Sequence, residues 1–166
     1  AECLADDGGF SHNQYALTIA EELETRHQSF PGLNLTREVL AGQASRVHKD
    51  VDGMCPLLEA QVVEAADSMT YDAHDLDDAL QLGLVMLEEV QQQEMIRICV
   101  EMIEQQGVDL GPNQYRRALI HTMLDCQVTN VLENAGPFLA QSGWTSISDV
   151  RQSDYRIGTV GQLSDA

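Results

Sequence analysis

The chain has 166 residues and a formal net charge of −18, with 27 acidic against 9 basic side chains. A chain of this length can bury roughly 70% of its unfolded surface in one domain. Its charge argues against nucleic acid and anionic membrane surfaces as partners held by general electrostatics, and a phosphate ligand needs local positive charge from a metal or from arginines. Aromatic residues make up 5% and prolines number four, which together with several periodic segments predicts an all-α domain. The cysteines at 3, 55, 99 and 126 show no CxxC spacing and read as reduced thiols of a cytoplasmic protein. No apolar run reaches the length of a membrane span, and no signal peptide is visible.

In chain order, residues 1–7 read as the end of a helix closed by Gly8-Gly9. A second helix is predicted from His12 to Gln28, with Ala16, Leu17, Ile19, Ala20 and Leu23 at helical spacing, broken by Phe30-Pro31-Gly32. Asn34 or Thr36 can cap a third helix reaching Ala41, and the polar stretch Gly42 to Cys55 reads as a loop. Pro56 suits the first turn of a long helix that Gly83 ends or bends. Glu88 to Gln106 reads as one helix stopped by Gly107, and Asn113 to Ala135 as another closed by Gly136-Pro137. A short turn or helix follows near Ser146 to Gln152, then a poorly patterned tail from Ser153, with no convincing strand anywhere.

The stretch Pro56 to Leu84 carries the clearest periodicity. On a 3.6-residue helix Leu58, Val62, Ala65, Met69, Ala73, Leu76 and Leu80 share one stripe, and Asp67, Tyr71, His74, Asp75 and Asp78 share roughly the opposite face. One helix would therefore bury an apolar stripe and present carboxylates, an imidazole and a phenol together. The plain alternative is a solvated acidic face. Asp72, Asp75, Asp77 and Asp78 also invite a calcium reading, but helical spacing without a glycine turn or a twelfth-position Glu is a poor loop site.

The wording of four stretches, in order, resembles the bacterial dGTPase-like deoxynucleoside triphosphate triphosphohydrolases of the HD superfamily. GGFSHNQYALTIAEELETR (Gly8 to Arg26), FPGLNLTREVLAG (Phe30 to Gly42), LLEAQVVEAAD (Leu57 to Asp67) and AADSMTYDAHDLDDAL carry the likeness. It implies a partial HD-type helical domain over residues 1–166, with the GGFSHN and GLNLT segments in 1–55, a metal-aspartate helix in 56–84, a two-helix segment in 88–136 and a C-terminal tail in 137–166. It implies hydrolysis of a dNTP, with dGTP the favoured substrate, to deoxynucleoside and triphosphate by a homo-oligomeric enzyme using a divalent ion, Mg²⁺, Mn²⁺ or another first-row metal.

Residue by residue, the resemblance makes Asp67 a metal ligand and His12 a proton-transfer or phosphate-side residue. Tyr71 and Asp75, one and two turns beyond Asp67, match positions that meet the triphosphate and the sugar hydroxyl in related SAM-and-HD-domain hydrolases, and Asn13 joins them as a substrate contact. Arg117 and His121, four residues apart, are similar to the Arg-x-x-x-His that contacts substrate there. Bland readings stand beside each: a helix-surface aspartate, a helix-entry histidine, a capping asparagine, a core-edge tyrosine, a surface aspartate, and a salt bridge for the Arg116-Arg117 pair. The family's first His, its His-Asp pair, a further histidine and a Gly-Glu pair precede the GGF segment, and RIGTVGQLSDA resembles the segment before its last helices. The expectation is thus the middle of a longer enzyme, with weak or no turnover by residues 1–166 alone. A non-catalytic helical assembly module is the alternative.

Overall fold

The computed structural model describes residues 9–47 and 54–158. The helix end expected over residues 1–7, Cys3, His48, the loop residues Asp50, Asp52 and Gly53, and residues 159–166 lie outside the described residues. Among the described residues every regular element is helical, and extended backbone pairs only in one isolated parallel bridge, Thr25 to Gly32. The helices are α1 (His12–Thr18, continued by a π-helical turn Ile19–Leu23), α2 (Arg37–Ser45), α3 (Leu58–Gln81), α4 (Leu87–Val90), α5 (Glu94–Gln105), α6 (Pro112–Gln141) and α7 (Ile147–Arg151). The chain divides into two compact units, Ala1–Val62 with Trp144–Arg156, and Val63–Gly143 with Ile157–Ala166.

In the first unit, Ser11 caps α1 by accepting the Gln14 N–H at 3.3 Å, so the cap is Ser11 and not Asn13. Asn13 instead donates its Nδ2 to the carbonyl of Arg46 at 3.2 Å, beside the end of α2. The helix stops at Leu23, five residues short of the expected Gln28. The returning Pro31-Gly32 segment explains this. Leu33 N–H takes the Ala20 carbonyl at 2.8 Å, while Glu24 N–H reaches back to Ile19, the five-residue bond of a π turn. Gly32 (φ 71°) lies so close that a Cβ there would sit 2.3 Å from the Glu21 carbonyl oxygen.

The rest of the Gly-Leu-Asn-Leu-Thr segment also has backbone duties. Asn34 adopts φ 53° and does not cap; Thr36 does, accepting the Val39 N–H at 3.4 Å. The helix α2 then runs to Ser45, into the stretch expected to be loop. Further on, Cys55 is buried and is a hub. Its N–H donates to Arg151 O at 2.9 Å, its thiol to Tyr155 O at 2.9 Å, and its sulfur accepts from Gln61 Nε2 at 3.2 Å and from the Arg156 guanidinium at 2.7 Å. Pro56 precedes α3 and does not open it, and its carbonyl accepts Gln61 Nε2 at 2.9 Å. That bonding places Gln61 inside, at 6% exposure, and leaves Val62, expected in the buried stripe, 54% exposed. Trp144 meets Tyr155 edge-on at 5.8 Å between centroids, and burial raises the Tyr155 phenol above its ordinary pKa.

The second unit is built on the remainder of the stripe. Ala65, Met69 and Ala73 are buried, and Leu76 and Leu80 pack against a core made by Ile96, Cys99, Val100 and Ile103 of α5 and Leu119, Ile120 and Met123 of α6. Each large aliphatic side chain buried there contributes about 1.5–3 kcal/mol. The single helix expected over Glu88 to Gln106 is two, α4 and α5, broken at Gln91 to Gln93. The reason is phase. Leu87 to Ile96 and Val90 to Cys99 are each nine residues, half a revolution on a continuous helix, yet all four pack on the same core. Pro112 opens α6 at its first position. This helix passes through Gly136-Pro137, where a stop was expected, and ends at Gln141. Glu133, whose carbonyl loses its N–H partner at Pro137, is exposed together with Gly136 and Pro137, so water can take that carbonyl.

Candidate functional site

The face of α3 opposite the buried stripe holds the residues singled out by spacing. Asp67 is half-buried, while Tyr71 (60%), His74, Asp75 and Asp78 are exposed. Four-residue steps place Asp67, Tyr71 and Asp75 along one ridge of the helix, one turn apart. Such a ridge presents a carboxylate, a phenol able both to donate and accept, and a second carboxylate to one elongated polar ligand. His74 and Asp75 are adjacent, so their side chains diverge by about a quarter turn and do not chelate together.

On α6, Arg117 and His121 are both exposed and one turn apart. The neighbouring Arg116, not Arg117, forms the ion pair of the Arg-Arg doublet. Its Nη1 donates to Oδ1 of Asp77 on α3, with 17% and 30% of the two side chains accessible. The bland reading of the doublet therefore describes Arg116, and the pair pins the start of α6 to the last turns of α3. His12, in the first unit, occupies the first position of α1 and is exposed. Asn13 commits one amide hydrogen to the Arg46 carbonyl.

Among the described residues no three His, Cys, Asp or Glu side chains converge so as to hold a cation. Asp67 is one candidate donor, and the described residues do not fit a complete metal centre by themselves. Two features were not visible in the sequence reading. One is an apolar cavity of about 470 Å³ in the second unit, with Tyr115 and Arg116 in its wall. Burial, reinforced by the charge of Glu104, raises the Tyr115 phenol above its ordinary value. The other is Gln127, 1% exposed, with neither amide atom hydrogen-bonded. The apolar run Leu84 to Leu87 signals the cavity weakly; nothing local signals the unpaired amide. Among the described residues, no helix is long and apolar enough to cross a membrane.

The chain resembles the bacterial deoxyguanosinetriphosphate triphosphohydrolase-like proteins over 87–98% of its length. It is 34% identical over 163 residues to such a protein of Deinococcus deserti, covering 98% of this chain and 42% of the relative. It is 31% identical over 181 residues to one of Bartonella quintana (95% and 45%), and 29% identical over 161 residues to one of an Azoarcus species (90% and 42%). The chain thus spans less than half the length of the curated relatives it matches. No family model matches it.

Proposed function

We propose that the chain is part of an HD-type deoxynucleoside triphosphate triphosphohydrolase that acts on dGTP, in the cytoplasm and as a homo-oligomer, and releases the deoxynucleoside and intact triphosphate. The observation that carries this reading is the ridge of α3. Asp67, Tyr71 and Asp75 sit there one turn apart, within a chain similar almost throughout to proteins named for that reaction. In this reading Tyr71 donates its phenolic proton to a phosphate oxygen and packs beside the deoxyribose, and Asp75 accepts the sugar hydroxyl. Arg117 grips phosphate with its planar fork and His121 adds a donor one turn on. His12 delivers or accepts the proton at the departing oxygen, with Asn13 beside it. Asp67 is the proposed carboxylate donor to a magnesium or manganese ion, whose other donors come from outside the described residues.

Phosphorus NMR of dGTP incubated with the protein and Mn²⁺ tests the reading. Tripolyphosphate as the first product, lost on Asp67→Asn, supports it; pyrophosphate or orthophosphate as the first product rejects it. Residues 1–166 alone are expected to turn over slowly or not at all, since Asp67 by itself cannot hold an ion tightly.

A second reading, a non-catalytic helical assembly module, is favoured by one observation. Val63 and Tyr71 stand 59% and 60% exposed on the polar side of α3, an apolar showing that suits a covered surface. Tripolyphosphate release by the protein would set this reading aside.

A further inference from the structure

Beyond its last turn, α3 leads into a segment with an unusual surface. The cavity of about 470 Å³ has Leu80, Val85, Leu87, Leu110, Pro112 and Leu119 in its walls. Beside it Leu82, Leu84 and Met86 are 71%, 73% and 59% exposed. Single exposed apolar residues are ordinary, but here three large ones fall within five positions of the turn, and the last of them, Met86, stands in the cavity wall. The segment is also held in shape. Leu84 N–H bonds Ala79 O at 2.9 Å and Gly83 N–H bonds Leu80 O at 3.3 Å, the paired bonds of a Schellman closure around Gly83 at φ 66°. Met86 N–H is taken by Glu89 Oε2 at 2.7 Å. A platform fixed in this way loses little freedom when it is covered.

Charge selects what covers it. Asp78, Glu88, Glu89 and Asp109, sequence neighbours of the wall and rim, are exposed, and the guanidinium of Arg116 in the wall is already paired with Asp77. Exposed Arg117 leaves the balance acidic. A second copy meeting this face through its own would set Glu88, Glu89 and Asp109 against the same carboxylates. An anionic small molecule meets the same field.

We propose that this cavity and the 82–86 turn dock a basic amphipathic helix of a partner polypeptide. Its apolar residues enter the cavity and cover Leu82 and Leu84, and its lysines or arginines lie over Glu88, Glu89 and Asp109. The proposal does not rest on the triphosphohydrolase reading, because neither Asp67 nor Tyr71 lines the cavity.

Fluorescence anisotropy of labelled leucine–lysine and leucine–glutamate amphipathic peptides, each about four helical turns long, titrated with the 166-residue chain, tests it. The lysine peptide should bind, more weakly as salt rises, and roughly tenfold more tightly than the glutamate peptide. The double variant Leu84→Ser, Met86→Ser, both changes at exposed positions and the second a good helix cap, should weaken binding of the lysine peptide roughly tenfold with an unchanged circular dichroism spectrum. Equal binding of the two peptides, no binding of either, or equal binding by parent and double variant would overturn the proposal. So would a dimer of the parent by light scattering that the double variant abolishes, which would make a second copy the occupant.

Discussion

Replacing Gln127 with methionine should stabilise the second unit. The Gln127 side chain is 1% exposed on the inward side of α6, one turn beyond buried Met123, and neither Nε2 nor Oε1 has a hydrogen-bond partner. An amide taken from water and left unpaired costs about 1–3 kcal/mol. Methionine has nearly the same length, adapts to irregular space and carries no strong polar atoms. The exchange therefore removes the unpaired amide while leaving the packed volume almost unchanged, so the gain should fall within that same range of about 1–3 kcal/mol. For a chain of this size it should raise the midpoint of thermal unfolding by roughly 3–10 °C. Urea unfolding followed by circular dichroism measures it, and an unchanged slope with a higher midpoint identifies a true stability gain. A loss of stability of about 1 kcal/mol or more would refute the reasoning, and would mean that buried water satisfies the amide.

Removing the Arg116 guanidinium (Arg116→Ala) should destabilise the chain by about 1–2 kcal/mol, between the values for exposed and buried pairs; a double-mutant cycle with Asp77→Asn should recover a favourable coupling, and a coupling of zero would remove the pair's role in pinning α6 to α3. The Cys99 thiol, pushed up to about 12 by burial and next by Cys126, should resist alkylation at mildly alkaline pH while the partly exposed Cys126 reacts, as peptide mass spectrometry after iodoacetamide would report. The Asp149 carboxyl is held below its ordinary value of about 3.9 because it accepts the N–H groups of Thr145 and Ser146. A carboxyl depressed in the folded state stabilises it above the unfolded pKa, and that contribution fades as pH falls through the folded value. Parent and Asp149→Asn should therefore differ in stability near neutral pH and converge in strong acid; a difference independent of pH would contradict this cause.

Helix existence was legible wherever one period ran uninterrupted. From Ala65 to Leu80 the inward positions of α3 follow the 3.6-residue stripe, because nothing polar competes for the inner face. At its start the stripe fails, since the Gln61 amide finds Pro56 O and Cys55 Sγ and displaces Val62. The break between α4 and α5 is written in the half-turn offset of Leu87 and Val90 from Ile96 and Cys99, and it becomes readable only once all four are known to meet one core. Gly136-Pro137 is a local stop signal that its exposed position in α6 overrides. The polar ridge of Asp67, Tyr71 and Asp75 follows from spacing alone. The choice of Arg116 over Arg117 as partner of Asp77, the burial of Gln127 and the cavity depend on how α3, α5 and α6 come together, which no local pattern encodes. Gly32, Asn34 and Thr36 show the converse: in a segment chosen for its wording, each residue here serves backbone geometry.

The most direct test of the central claim, that the α3 ridge engages a deoxynucleoside triphosphate, is phosphorus NMR of dGTP with the 166-residue chain and Mg²⁺, with Tyr71→Phe alongside. The account predicts that the chain shifts the phosphate resonances of dGTP, that the shift is smaller for Tyr71→Phe, and that any product formed is tripolyphosphate. Phosphate resonances that the chain leaves unmoved, or the appearance of dGMP with pyrophosphate, would contradict it.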